Sequence, residues 1–571
     1  MAEYSPMMQK YLETKEQYKD CILFYRLGDF YEMFFDDAVN VSRELELTLT
    51  GKDCGQAERA PMCGVPFHAA DTYINRLVEK GYKVAICEQV EDPKQAKGLV
   101  KREVIKVVTP GTNFNSGALN EDRNNYLMCI AYMGRSIGLA VTDVTTGEFM
   151  VSELSSGREL LDEINKFAPS EIICNESFDI SGIDLTEIRN RLSISMSSLD
   201  SWYFDDDGAK RILKDHFKVS SLDGLGLTDY PTGIIASGAL MNYLYETQKN
   251  SLPHITRITP YSTGRYMIID SFTRRNLELV ETMREKNKKG SLLWVLDKTK
   301  TAMGARLLRN IIEQPLITVE DIRKRQQAVK ELIDNYITRE EIREYLNPVY
   351  DLERIIGRIS TKSAGPRELI AFRGSLEMLP SIKKELASLK SEKMQELYKE
   401  LDTLDDIYDL INRSIVDEPP LQIKDGGIIK DGFNEEVDRL RSAKTDGKNW
   451  LAQLEASERE RTGIKTLRIK YNKVFGYYFE VTNSFKDMVP DDYIRKQTLT
   501  NAERYTMPKL KELEDIILGA EDKLFALEYD IFAEIRNRIA SQVVRIQNSA
   551  RAIAGIDVFA SLALVAQQNN Y

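Results

Sequence analysis

The stretch "CILFYRLGDFYEMFFDDAVNVSREL", residues 21–45, carries the reading on which the fold turns. Its first part, CILFYRL, is a continuous apolar run closed by Gly28, the pattern of a buried strand. Asp29 then stands where an N-cap would, so the spacing predicts a helix beginning within FYEMFFDDAVNVSREL. The stretch crowds Phe30, Tyr31, Phe34 and Phe35 around Glu32. The question is whether all four rings are core or one is held outward.

Working outward, "DTYINRLVEKG" (71–81) is an amphipathic helix closed by Gly81, and "YKVAICEQV" (82–90) is a strand, so the first 112 residues are mixed α/β. "TPGTNFNSGALNED" (109–122) concentrates turn formers and reads as a linker. "YLMCIAYM", "SIGLAVTDV" and "EFMVSEL" (126–154) are three strands joined by GR and TTG turns, an antiparallel meander. Helical "GRELLDEINKFAP" and the strand "EIIC" follow, giving a second mixed α/β domain that ends near 245. From about 250 the chain is mostly helical. Residues 433–463 and 507–547 are long 3.6-period stretches, and at ~1.5 Å per residue they would reach roughly 40 and 60 Å. Between them "IKTLRIKYNKVFGYYFEVTNSF" is strand-like, with a turn near Asn472 or Gly476. Two antiparallel arms with a basic β module at the tip would grip something remote from the body. A plain helical bundle with a β insertion is the other arrangement this pattern allows.

Length, at 571 residues, implies about three to five domains. The six cysteines (21, 54, 63, 87, 129 and 174) form no Cys-x-x-Cys pair, which argues against zinc and against a disulfide framework. With only His68, His216 and His254, a histidine-built metal site or triad is not expected. No apolar signal core and no uninterrupted apolar run of ~18 residues occurs, so the expectation is a cytosolic protein without a membrane span. The net charge of −11 argues against nucleic acid, but the basic residues are local. Residues 464–479 hold Lys465, Arg468, Lys470 and Lys473 and no acid; residues 97–109 hold Lys97, Lys101, Arg102 and Lys106 against Glu103. No G-x-x-x-x-G-K-[ST] loop and no H-E-x-x-H occur. Asp143 lies in a strand as a nuclease metal ligand would, without partner carboxylates at a legible spacing.

Beyond these patterns, "FYRLGDFYEMFFDDA", "APMCGVPFHAADTYINRLVEKGYKVAICEQVEDP" and "VVTPGT" closely resemble the mismatch-binding domain of the bacterial MutS family of DNA mismatch repair proteins. The resemblance continues through "TDVTTGEF", "DSFTRRNLEL…GSLLWVLDKTKTAMGARLLRNIIEQPL", "GIKTLRIKYNKVFGYYFEV" and "YIRKQTLTNAERYTMPKLKELE", in family order along the whole chain. It implies a multi-domain α/β plus all-α protein. The expected parts are a mismatch-binding domain (1–112), a linker (113–125), an RNase H-like connector (126–245), a helical lever or core (246–449 and 506–571) and a β-rich clamp (450–505). A family polypeptide would continue past Tyr571 into an ABC-type ATPase domain, so ATP and Mg are expected there. No cofactor, metal, catalytic residue or enzymatic activity is expected of this chain.

The resemblance also assigns residues. By the family pattern G-D-F-x-E, Phe30 is a wedge that stacks on a mismatched base and Glu32 hydrogen-bonds that base. The physical reason is that a defect is cheap to kink, whereas unstacking normal duplex costs a few kcal/mol per step. Tyr31, Phe34 and Phe35 are expected as core. Val65, Pro66 and His68 of "CGVPFH" resemble a second minor-groove element, with a core or turn role equally open. Candidates for the DNA backbone are Lys97, Lys101 and Arg102, and in the clamp Arg468, Lys470, Asn472, Lys473, Arg495 and Lys496. Implied partners are mismatched double-stranded DNA, a second copy of the chain and a MutL-type protein. Two other classes compete: a long-helix scaffold accounts for the arms but not the first 150 residues, and an RNase H-like metal-dependent nuclease accounts for the second domain but lacks a legible carboxylate set.

Overall fold

The segment 21–45 folds as two strands before it becomes a helix. In the computed structural model, which describes residues 4–91, 99–115, 117, 119–262, 264, 266–421, 423–472 and 475–571, β1 is Cys21–Leu27 and β2 is Phe30–Phe34. They pair antiparallel, Leu27 opposite Phe30. Gly28-Asp29 is therefore a hairpin turn, with Gly28 at φ +59°, and not the N-cap the sequence reading expected. The helix Phe35–Leu45 starts five residues later than Phe30. Phe35 itself takes a left-handed backbone (φ 54°), a conformation costing roughly 1–2 kcal/mol. Its ring is held edge-on against Tyr4 and near Tyr11.

Four more strands complete the first sheet: β3 (Thr50–Lys52), β4 (Ala60–Pro66), β5 (Lys83–Gln89) and β6 (Arg102–Val108), in the order β3-β4-β2-β1-β5-β6. Only β1 and β5 run parallel. One face carries Ile22, Phe24, Tyr31 and Met33 and packs under the helices Phe35–Leu45 and Ala70–Glu79. The other carries Leu23, Tyr25 and Phe34 against the helix Pro6–Gln17. Buried Asp37 ties helix to strand by accepting from the Leu23 amide (2.9 Å) and Lys15 Nζ (3.0 Å).

The second sheet contains the expected meander, β7 (Leu127–Tyr132), β8 (Ile137–Asp143) and β9 (Glu148–Leu154). β10 (Glu171–Asn175) and β11 (Ser195–Leu199) add parallel beside β7, and the short β12 (Thr259–Pro260) closes the far edge. The order β11-β10-β7-β8-β9, three antiparallel strands flanked by two parallel ones, is the arrangement expected of an RNase H-like sheet. Between the two sheets, "TPGT" is not a loose linker. Thr109 and Thr112 are fully buried, and the Glu171 carboxylate accepts from Thr109 Oγ1, the Gly111 amide (3.0 Å) and Tyr243 Oη (2.6 Å).

The chain divides into two units, residues 1–363, 374–404 and 540–571, and residues 364–373 with 405–539. In the first, the helix Val543–Asn569 is long and apolar enough by composition to cross a membrane, yet 78% of that window is buried inside the protein. Helices Ala302–Glu313, Val319–Asp334 and Leu352–Ser360 pack around it. Asp557 on this helix is fully buried; burial pushes its carboxyl up to about 6. It accepts from the amides of Lys300 and Thr301 and from Thr301 Oγ1, and so anchors the start of Ala302–Glu313.

In the second unit the helices Glu435–Thr462 and Pro508–Ala540 run antiparallel, joined by an Arg441–Glu528 ion pair and by Gly447 against Ile517. Their 28 and 33 residues span about 42 and 50 Å. The second arm does not continue to 547: it ends at Ala540, and a new helix begins at Val543. At the arms' tips β13 (Arg468–Asn472), β14 (Gly476–Thr482), β15 (Ile494–Thr498) and β16 (Ala502–Thr506) form a sheet in the order β13-β14-β16-β15. Its inner face, with Phe479 and Tyr505, packs on Leu451, Leu454, Leu510 and Ile517 of the two helices.

Removing the Asp557 carboxylate leaves three buried donors without acceptors. Asp557→Ala is expected to lower stability by about 3 kcal/mol or more, read as a shifted urea midpoint. Asp557→Asn, which keeps one oxygen, should lose less. Gly304→Ala would place a methyl group 2.3 Å from Asp557 Oδ2, and the resulting overpacking should cost roughly 1–3 kcal/mol.

Candidate nucleic-acid interface

Because successive side chains on a strand point to opposite faces, the register of β2 decides which aromatic leaves the core. Tyr31 and Met33 enter the core beneath the helices, and Phe34 enters the core on the other face. Phe30, at the hairpin end, is 46% exposed. Its strand partners are Leu27 on β1 and Pro66 on β4, so the ring stands on a paired backbone on both sides.

The base beneath Phe30 is braced. The Asp29 carbonyl accepts from the Phe67 amide (3.0 Å), which pins the turn to β4's end. Arg26 lies 3.9 Å over the Phe67 ring, donates to the Gly28 carbonyl (2.5 Å) and pairs with Glu88 (3.3 Å). Tyr31 Oη donates to the same Glu88. Glu32, two residues from Phe30 and therefore on its face, is half-buried and pairs with Lys52 Nζ at 2.5 Å. Lys52 comes from β3, two strands away, and sequence reading missed it, since nothing local marks that pairing. Phe30 and Glu32 thus form a built pair, an exposed ring beside a carboxylate with its own counter-ion.

Of the neighbouring residues, Pro66 is half-exposed opposite Phe30 and His68 is exposed, its ring edge-on to Phe67. Of the roles left open for Val65 it takes the core one: it alternates inward and is fully buried. Lys101 is exposed and paired with Glu103 at 2.6 Å. Arg102 is committed to the fold, since Nε donates to the Arg26 carbonyl (2.7 Å) and Nη1 to that of Val100 (2.9 Å) while the guanidinium covers Tyr25. That departs from its reading as a backbone contact. Lys97 lies outside the described residues.

On the sheet at the arm tips, strand alternation sorts the basic residues. Arg468, Lys470 and Asn472 of β13 lie on the outer face, opposite Glu480, Tyr478 and Gly476 of β14. Arg468 is exposed and Asn472 half-exposed; Lys470 pairs with Glu480 at 2.7 Å. Arg504, which sequence reading passed over, joins this face from β16 and stacks 4.5 Å over Tyr478. Lys496 is exposed at the bulge between Arg495 and Gln497, and Arg495 is exposed within 3.6 Å of Glu503. Lys473 lies outside the described residues. Exposed ion pairs such as Lys470–Glu480 contribute only ~0–1 kcal/mol, so a phosphate can displace the carboxylate at little cost.

Asp143, the strand carboxylate singled out as a nuclease ligand, serves the fold. Asp143 is fully buried and spends its oxygens on the amides of Asn125 (3.1 Å) and Thr145 (2.9 Å) and the hydroxyl of Thr145 (2.6 Å). Among the described residues no group of three His, Cys, Asp or Glu side chains is placed to hold a metal. Gly134-Arg135-Ser136-Ile137-Gly138 has the spacing of a nucleophile elbow, but it runs from the hairpin turn after β7 into the first two residues of β8, and Ser136 Oγ donates to Glu153 at 2.6 Å.

Three protein-family models match the chain. The protein-family models described as MutS domain I, MutS domain II and MutS domain III match residues 5–116, 125–256 and 272–563. The chain is 64% identical over 571 residues to the DNA mismatch repair protein MutS of Lachnoclostridium phytofermentans, covering all of this chain and 61% of that protein. It is 55% identical to those of Acetivibrio thermocellus and Ruminiclostridium cellulolyticum, again over all of this chain and 66% and 65% of those proteins. The chain therefore spans somewhat under two thirds of the length of the curated relatives it matches.

The two phenylalanines at the ends of β2 should separate cleanly. Phe30→Ala is expected to change stability by no more than about 0.5 kcal/mol, as for an exposed site. Phe34→Ala should cost roughly 3–5 kcal/mol, as for a buried ring. Urea unfolding of both variants followed by circular dichroism checks this; an equal loss would make Phe30 a core residue.

Proposed function

The chain belongs to the MutS family, and from that premise we propose that it recognises base–base mismatches and small insertion or deletion loops in duplex DNA. The observation that carries this reading is Phe30, exposed on a braced hairpin with Glu32 on the same face. Phe30 enters from the minor groove and stacks between base steps. The unstacking cost of a few kcal/mol is met in full by paired duplex and only in part by a defect, and that difference is the discrimination. Glu32 must leave Lys52 to reach a base. Its charge repels the phosphates, so the exchange is favourable only where an unpaired base supplies the missing hydrogen bond. Pro66 and His68 flank the ring on the groove side.

The sheet at the arm tips grips the backbone through Arg468, Lys470, Asn472, Arg495 and Lys496, positioning the duplex without reading sequence, and Lys473 is a further candidate from the sequence. Lys97 and Lys101 are further backbone candidates on the first domain. The division into a mismatch-binding domain (1–112), linker (113–125), connector (126–245), lever (246–449 and 506–571) and clamp (450–505) is part of the same reading. At the level of the whole family protein, it includes a homodimer in which one subunit supplies the wedge. It also includes an ATP- and Mg-dependent conversion to a sliding clamp, handover to a MutL-type protein, and residence in the bacterial cytoplasm.

Fluorescence anisotropy with homoduplex, G·T and single-base-bulge DNA at two salt concentrations tests this. The protein should prefer the bulge by about tenfold, equal to ~1.4 kcal/mol. Phe30→Ala should lose the preference and keep the salt dependence; discrimination surviving in Phe30→Ala would sink the wedge.

In the same assay Glu32→Gln should tighten homoduplex binding and erode discrimination. Replacing Arg468 and Lys496 together by Ala should weaken all three duplexes alike, lowering the slope of log K against log salt by about 0.9 for each phosphate no longer neutralised.

A further inference from the structure

Between the second sheet and the helical core of the same unit lies a cavity of about 470 Å³, within the ~300–1,000 Å³ of sites that hold small molecules. One wall is Glu148–Met150 of β9 with the segment Thr256–Tyr261; the other is built by the helices Ala302–Glu313 and Val543–Asn569. Neither Phe30 and Glu32 nor the sheet at the arm tips lines it, so the DNA reading makes no use of it.

Four arginines line this space, Arg257, Arg306, Arg325 and Arg551, and Arg325 is engaged elsewhere. Arg306 is spent: it pairs with Asp351 (2.6 and 2.9 Å) and Glu353 (2.6 Å). Arg257 and Arg551 are not. Arg551 donates to Asn548 Oδ1, and among the described residues neither arginine forms an ion pair. Burial, and then the like charge of Arg257, pull the Arg551 guanidinium below its ordinary value, against a smaller opposing pull from Glu353 and Glu400. The acids facing the cavity do not balance them. Glu353 is held by Arg306, and Glu148, whose carboxyl burial pushes up to about 7, accepts from Asn124 Nδ2 (3.3 Å) and Tyr126 Oη (2.9 Å). Asp143, behind Glu148, is occupied by Asn125 and Thr145. Gln314 and Thr259 add an amide and a hydroxyl, and apolar side chains including Phe149, Met303, Leu307 and Ile311 form the rest of the wall. Two unpaired, mutually repelling guanidinium groups at one cavity suit a compact oxyanion with several acceptor oxygens, which the planar fork of arginine binds bidentately.

We propose that this cavity binds a phosphate or pyrophosphate group, free or as the charged end of a nucleotide, through Arg257 and Arg551.

Isothermal titration of the 571-residue protein with inorganic phosphate, pyrophosphate and ADP, at constant ionic strength, tests it. Saturable binding of at least one of the three is expected, weakened about tenfold by Arg257→Gln and by Arg551→Gln in proteins that keep their melting temperature. Equal affinity for pyrophosphate and ADP would support a free anion, and tighter ADP binding a nucleotide. Should a Gln variant fail to fold, the Lys variant, which keeps charge but loses the fork, should bind more weakly than wild type. No saturable heat from any of the three, or heat unchanged in Arg257→Gln/Arg551→Gln, would overturn the proposal. The second result would place the anions elsewhere, as on the basic sheet. Binding to bulged DNA, in which neither arginine takes part, should be the same in wild type and the double variant.

Discussion

A strand repeats every two residues, and five residues of β2 are bound by that rule. With Leu27 fixed opposite Phe30, Tyr31 and Met33 must enter one core, Phe34 the other, and Phe30 with Glu32 is left toward solvent. A slip of one residue would bury Phe30 and expose Tyr31, losing the core and the site together. Sequence, packing and function therefore meet in a single register. The same rule, acting on β4, buries Val65 while leaving Pro66 half-exposed beside the ring. In the distal sheet it gathers Arg468, Lys470 and Arg504 on the face away from the helices.

The acidic composition reads differently once the fold is known. Asp37, Asp143, Glu171, Glu528 and Asp557 are all buried, where they accept from backbone amides, hydroxyls or cationic side chains. Such carboxylates act as internal stitching at helix starts, turns and the passage between sheets. A net charge of −11 thus coexists with a locally basic face. Composition alone, summed over interior and surface, could not separate the two.

Much of this was legible in the sequence where the signal is local. Alternation located the strands and the meander, and the long helical period located the arms. The family resemblance singled out Phe30 and Glu32, which periodicity by itself would have left as two residues of a helix. Errors fell where local signals compete or where none exists. Gly28-Asp29 suits a hairpin turn as well as a helix start, and only the pairing of Leu27 with Phe30 decides between them. The break between Ala540 and Val543 has no glycine or proline to announce it. Lys52 reaches Glu32 through two strand pairings across twenty residues, and Arg504 reaches the basic face through the order of the sheet. Such placements belong to tertiary pairing and have no one-dimensional trace.

The passage from the first sheet to the second has a mechanical meaning. Thr109 and Gly111 are clamped by Glu171, which Tyr243 also holds, inside packed surroundings with no slack. A joint of this kind transmits torque where a tether would absorb it. Force applied sideways at Phe30 would pass through the hairpin and β6 into the second sheet as elastic strain. The first domain then behaves less like a hook on a cord than like the short end of a stiff lever, and the second sheet becomes its strain gauge.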